Sequence, residues 1–125
     1  MKVLLDTHMV LWWLADDRRL STKARRFIAD PGNTVIVSAA TAWEVALKQA
    51  LGKLRVEGEF ERAVEEQGFD LLPVRFAHAA ELRQLPSIHR DPFDRMLVAQ
   101  AARVGAFIVS RDRAFLAYGV DTLPA

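Results

Sequence analysis

The chain has 125 residues, the size of one domain, and 51% of them are hydrophobic, enough for a core without covalent staples. It contains no cysteine, which excludes disulfides, thiolate metal sites and cysteine nucleophiles and suits a reducing cytoplasm. Its 17 basic and 16 acidic side chains leave a net charge of +1, too little to hold nucleic acid by bulk charge, so any such site has to be local.

The first apolar run, Val3-Leu4-Leu5, ends on Asp6 and reads as a buried strand. His8 to Ala15 is apolar on nearly every face and reads as a helix. Its uninterrupted part, Met9 to Ala15, is far shorter than the ~20 residues of a membrane span, and charged residues close it, so neither a membrane anchor nor a signal peptide is expected. Ser21 is placed to cap a helix over Thr22 to Ala29, which Asp30-Pro31-Gly32-Asn33 ends. Thr34 to Val37 is a β-branched strand, followed by a helix from Ala40 to Leu51 that stops at Gly52. Glu59 to Gln67 reads as a helix ended by Gly68, Phe69 to Val74 as a third strand, and Phe76 to Leu85 as a helix ended by Pro86. Asp91-Pro92 opens the next helix, because Asp is a good N-cap and Pro is favoured at the first helical position. Gly105 stops it, Ala106 to Ser110 is a fourth strand, and a helical turn from Asp112 leads to a last strand near Val120 to Leu123. Short apolar strands alternating with helices predict an α/β fold with a mainly parallel sheet, in one domain over residues 1–125 without repeats or linkers.

Ligands of open parallel sheets bind outside the carboxyl ends of the strands. Asp6 follows the first strand directly and Asp112 follows the fourth. Glu44 lies early in the helix after the second strand, and Asp94 in the first turn of the helix that feeds the fourth. Each has a structural explanation of its own. Asp6, Asp91 and Asp112 are placed to cap helices, Asp94 suits the macrodipole, and Glu44 is an ordinary helical residue on its own. Four carboxylates on one rim repel one another unless a cation neutralises them. Without cysteine, and with three scattered histidines, the donors are hard oxygens that suit Mg²⁺ or Mn²⁺. Such an ion can polarise a phosphodiester and activate water.

The chain resembles the PIN-domain family, and within it most closely the VapC toxins of VapBC toxin–antitoxin pairs. The matching segments are Leu4-Leu5-Asp6-Thr7-His8, Leu11-Trp12-Trp13-Leu14, Trp43 to Lys48 with Gly52-Lys53-Leu54, His89 to Ala101, Ser110 to Phe115 and Tyr118-Gly119-Val120. They span essentially the whole chain in order. The resemblance implies a three-layer α/β/α sandwich and a metal-dependent ribonuclease whose acidic quartet, here Asp6, Glu44, Asp94 and Asp112, binds Mg²⁺ or Mn²⁺ and hydrolyses RNA. Thr7 and Ser110 match supporting hydroxyls, and the role of Asp91, cap or part of the site, stays open. It also implies two partners, a second copy of the chain in a homodimer and a VapB-type antitoxin.

Among the basic residues near these motifs, Lys48, Lys53, Arg90, Arg95, Arg111 and Arg113, the default is a solvated charge. Lys48, Arg95 and Arg111 are the candidates for holding RNA phosphates. His8, His78 and His89 share no metal spacing and read as structural. Leu11, Trp12, Trp13 and Leu14 are consecutive and point to different sides of a helix, so at least one of Trp12 and Trp13 is expected to be buried by another chain, either a second copy of this one or an antitoxin segment. A phosphatase would want a second Asp where His8 stands, and a receiver domain an Asp after Val37, where Ser38 stands. No Gly-rich phosphate loop with Lys is present. The alternative from another class is a PIN-like module that binds RNA or protein without cutting.

Overall fold

Among the residues that the computed structural model describes, 1–87, 91–118 and 122–124, five strands alternate with six α-helices. Strands β1 (Lys2–Leu5), β2 (Thr34–Ser38), β3 (Asp70–Leu72), β4 (Phe107–Ser110) and β5 (Thr122–Pro124) form one sheet in the order β3-β2-β1-β4-β5. Every neighbouring pair is parallel, with Leu4 of β1 opposite Ile36 of β2 and Ile108 of β4. The helices are α1 (Thr7–Leu14), α2 (Thr22–Ala29), α3 (Ala39–Ala50), α4 (Phe60–Glu66), α5 (Phe76–Glu81) and α6 (Pro92–Val104).

Alternate strand residues face opposite ways. Val3, Leu5, Val35, Val37 and Val109 pack with Met9 and Val10 of α1, Ala24 and Ile28 of α2, and Phe60 and Val64 of α4. Leu4, Ile36 and Ile108 pack on the other face with Leu97, Val98 and Ala101 of α6 and with Phe115. Burial on both faces is why the strand runs are continuously apolar. The result is the expected three-layer α/β/α sandwich with a parallel sheet.

The helix ends follow the local chemistry. Ser21 Oγ accepts the amide of Ala24, and Gly105 closes α6 with φ 69°, a conformation that costs glycine little. Three elements differ from expectation. β3 is shorter than Phe69–Val74, because Pro73 has no N–H to continue the ladder. α5 ends at Glu81 and gives way to a 3-10 turn over Leu82–Gln84 ahead of Pro86, a residue that disfavours helix before it. β5 lies at Thr122–Pro124; Val120, placed in that strand by sequence, lies outside the described residues, as do His89 and Arg90. Among the described residues no helix is long and apolar enough to cross a membrane.

Candidate active site

The carboxyl ends of β1, β2 and β4 lie side by side in the middle of the sheet; β1 is followed by Asp6, and β2 and β4 end on Ser38 and Ser110. Asp6 follows β1. Its amide continues the ladder to the Val109 carbonyl (3.2 Å), and its Oδ1 accepts the Met9 amide (3.1 Å), capping α1. Its Oδ2 accepts a short hydrogen bond from Ser110 Oγ, at the end of β4. The same Ser110 oxygen accepts the amide of Asp112 (2.9 Å), so one hydroxyl joins the first acid to the last. Asp112 Oδ1 in turn accepts the Ala114 amide (2.9 Å), capping a 3-10 turn over Arg113–Tyr118. Burial pushes the Asp6 carboxyl above its ordinary value, against the pull of Ser110 and Met9. Among the described residues no basic side chain forms an ion pair with it.

Glu44 reaches the same rim from α3, which starts where β2 ends because Ser38 Oγ accepts the Ala40 amide (3.0 Å). The Glu44 carboxylate is buried and both its oxygens are engaged. Thr7 Oγ donates to Oε1 (2.7 Å), and Lys48 Nζ, one helical turn on, donates to Oε2 (2.5 Å). With the Thr7 proton spent on Glu44, the Thr41 hydroxyl donates to Thr7 (3.1 Å). Glu44 holds the Lys48 ammonium above its usual pKa, and the charges of Asp91 and Asp94 add to the effect. Those two acids therefore face the Glu44–Lys48 pair from the start of α6. Asp91 is the cap of that helix, its Oδ1 accepting the amides of Phe93 (2.8 Å) and Asp94 (3.3 Å).

The acids thus fall into two satisfied groups, Asp6–Ser110–Asp112 and Glu44–Thr7–Lys48 with Asp94, adjoining where Thr7 follows Asp6. Among the described residues no three acidic or histidine side chains stand close enough to hold one ion together. Both oxygens of Glu44 are already taken, by Thr7 and Lys48. The donor chemistry nevertheless fits a hard divalent cation. All donors are oxygens, and Asp6 is a buried carboxylate that burial alone makes costly to ionise.

A family model described as the PIN domain matches residues 3–120. The chain belongs to the PIN-domain family. Ribonuclease VapC22 of Mycobacterium tuberculosis is 30% identical over 118 residues, which cover 89% of this chain and 87% of that one. The fold is shared with VapBC2 from Rickettsia felis, solved bound to a DNA fragment from its promoter (TM-score 0.72, 12% identity, 99% of this chain and 98% of that one). It is shared too with FitAcB from Neisseria gonorrhoeae (TM-score 0.61, 22% identity, 97% and 96% of the two chains).

The basic residues of this PIN domain are not equivalent. Lys48 is bound to Glu44. Arg95 donates to the carbonyls of Pro86 (2.8 Å) and Leu82 (3.4 Å), tying α6 to the preceding turn. Arg111 is exposed, directly between Ser110 and Asp112, and so are Lys53 and Arg113. His78 is structural as expected. It is buried in a network in which Ser38 Oγ donates to Gln100 Oε1, and Gln100 Nε2 bonds the Pro73 carbonyl (3.2 Å) and meets His78 Nδ1 (3.3 Å). Thr41, the Lys48 clamp and this network escaped the sequence reading. Thr41, Glu44 and Lys48 do carry a signal, the three- and four-residue spacing that puts side chains on one helical face. Gln100 has a weaker one, as a lone amide in the apolar stretch from Leu97 to Ala101.

Trp12 and Trp13 are both half-buried by their own chain. The Trp13 ring packs on Phe69 (6.4 Å between centroids) and its Nε1 donates to Gln67 Oε1 (2.9 Å). The most exposed tryptophan is Trp43, at 63%, in a stripe along α3 with Leu47 (42%) and Leu51 (59%). A cavity of about 480 Å³ opens between α3, α4 and the ends of β2 and β3, walled by Val37, Ala42, Phe60, Val64 and Leu71. It contains none of the four acids.

Proposed function

We propose that this PIN domain is a VapC-type endoribonuclease, the toxic half of a toxin–antitoxin pair, which hydrolyses RNA phosphodiester bonds with Mg²⁺ or Mn²⁺. The observation that supports it best is the Asp6–Ser110–Asp112 chain beside the Glu44–Lys48 pair, at the sheet end where such folds bind ligands. The ribonuclease name of the 30% identical relative agrees with it. Asp6, Glu44, Asp94 and Asp112 are the residues that would hold the cation. Bound there, it would supply charge neutralisation for the phosphate and a lowered pKa for the attacking water. Ser110 and Thr7 fix the rotamers of Asp6 and Glu44 through their hydroxyl protons. Lys48 carries the positive charge that Glu44 needs while no cation is present, and it is free to turn to a phosphate afterwards.

Two partners complete the proposal. The α3 stripe of Trp43, Leu47 and Leu51 is the surface for a second copy of the chain, and the apolar cavity beside α4 suits a helix of a VapB-type antitoxin. The exposed tryptophan adds α3 to the protein contact expected at α1, whose Trp12 and Trp13 are half-buried by their own chain. A mass measurement in solution checks it: a dimer that Leu47→Asp converts to monomer is the expected result, and an unaltered mass would count against the stripe.

The nuclease reading is tested by incubating the purified chain with labelled RNA in Mn²⁺ and in EDTA. Cleavage in Mn²⁺ alone is expected. Binding without cleavage in either buffer would favour the second reading, a non-catalytic PIN-like module. The saturation of Glu44 by Thr7 and Lys48 is the observation on that side.

A further inference from the structure

The sequence shows no aromatic ladder for stacking bases, yet one tryptophan at the acidic rim is surrounded by nitrogen-bearing side chains. The guanidinium carbon of Arg19 lies 5.0 Å from the centroid of the Trp12 ring, and that of Arg111 lies 5.4 Å from it. The imidazole of His8 is tilted against the same ring at 5.9 Å. Arg111 Nη1 also donates to the carbonyl of Arg19 (3.3 Å), so the strand end of β4 and the loop after α1 are joined at this point. Trp12 itself is half-buried against the core, which makes it a fixed shelf rather than a mobile one.

The two arginines differ in charge balance. Arg19 is matched by Asp17, whose two carboxylate oxygens take Nε (3.1 Å) and Nη2 (2.8 Å), and that contact holds the Asp17 carboxyl at about 2. Arg111 has no carboxylate paired with it among the described residues. Its guanidinium is exposed, one residue from the serine that binds Asp6, and is pre-positioned by an aromatic face and a carbonyl. A guanidinium fixed in this way keeps most of its donors for a planar or tetrahedral oxyanion.

We propose that Arg111, laid on the ring of Trp12 beside Arg19 and His8, is the subsite for an RNA backbone phosphate flanking the one that is cut. Trp12 is a positioning residue: its ring is covered by guanidinium and is not a base platform. The inference rests on the ribonuclease reading but names a contact that cutting alone does not require. It also explains how a chain with a net charge of +1 attracts a polyanion to an acidic rim, by a guanidinium held next to it that has no carboxylate partner among the described residues.

The test uses a short fluorescein-labelled single-stranded RNA. Its affinity is followed by anisotropy against salt in EDTA, and its cleavage by the same proteins is followed in Mn²⁺. Arg111→Ala should weaken binding several-fold, make the slope of log affinity against log salt shallower by about 0.7, and raise KM more than it lowers kcat. Arg103→Ala removes the same charge from the last turn of α6, far from the rim, and should do neither. Trp12→Leu should follow Arg111→Ala, while Trp12→Phe, which keeps an aromatic face, should stay near the wild type. Equal affinity, slope and KM for wild type and Arg111→Ala, with Mn²⁺-dependent cutting intact, would overturn the subsite and spare the nuclease. A wild type that neither binds nor cuts RNA would overturn both. Arg111 is exposed, so its variant keeps the test open even where a Trp12 variant misfolds.

Discussion

Lys48, expected among the RNA-binding cations, holds its ammonium 2.5 Å from Glu44, with the side chain 39% exposed against 4% for its partner. In the proposed site a metal ion and Lys48 would compete for the same carboxylate. Lys48→Met should therefore lower the melting temperature of the metal-free protein and enlarge the rise that Mn²⁺ produces. The cost lies between the ~0–1 kcal/mol of an exposed pair and the ~3–5 kcal/mol of breaking a buried one. Thermal scans with and without Mn²⁺ read both effects. A variant whose Mn²⁺ response shrinks would mean that Lys48 assists the metal rather than opposing it. The spacing of Glu44 and Lys48 was readable in advance, because a Glu four residues before a Lys is the favoured helical order. What could not be read was that Thr7 would occupy the other Glu44 oxygen, since that contact depends on how β1 and α3 meet in space.

At the scale of the element, α6 joins a cap and a site acid in one helical turn. Asp91 binds two amides of that turn, and Asp94, three residues on, belongs to the proposed quartet. Asp91→Ala should cost about 1 kcal/mol, and Asp91→Asn much less because Asn caps as well as Asp. Melting temperatures separate the two. Equal losses would show that the Asp91 charge, felt at Lys48, matters more than its cap. Element starts were the most readable feature of this sequence. Ser21, Asp91 and Gly105 each determine one backbone position by local chemistry, and α2 and α6 lie where those residues put them. β3 is shorter than its apolar run because edge pairing stops where a strand runs out of donors, and Pro73 is such a stop.

For the whole molecule, the strand alternation implied burial on both sheet faces, and the two apolar clusters fit it. The polar tie between the layers was not readable, because Ser38, His78 and Gln100 are far apart in sequence and meet only once β2, α5 and α6 are packed. This tie makes stability depend on pH. Burial, then the charges of Arg75 and Arg103, lower the His78 pKa below its ordinary 6.5, and the Arg75 amide donates to its Nδ1 (3.0 Å). A histidine depressed in the folded state is protonated first in the unfolded state. Its stabilising contribution is therefore full above about pH 6.5 and falls as pH drops toward the folded value. Melting temperature should decline from about pH 7 to about pH 5 more steeply in the wild type than in His78→Gln; parallel curves would show that His78 does not titrate with unfolding.

The central claim is that the acids at the carboxyl rim act as one metal-dependent site. It is tested most directly by the rate of RNA cleavage in Mn²⁺ for Asp6→Asn, Glu44→Gln, Asp94→Asn and Asp112→Asn, each checked for a wild-type far-ultraviolet spectrum. Every one should fall by more than the ~10–100-fold typical of a residue that only supports a metal ligand. A folded variant of any of the four that cuts RNA at close to the wild-type rate would contradict the claim.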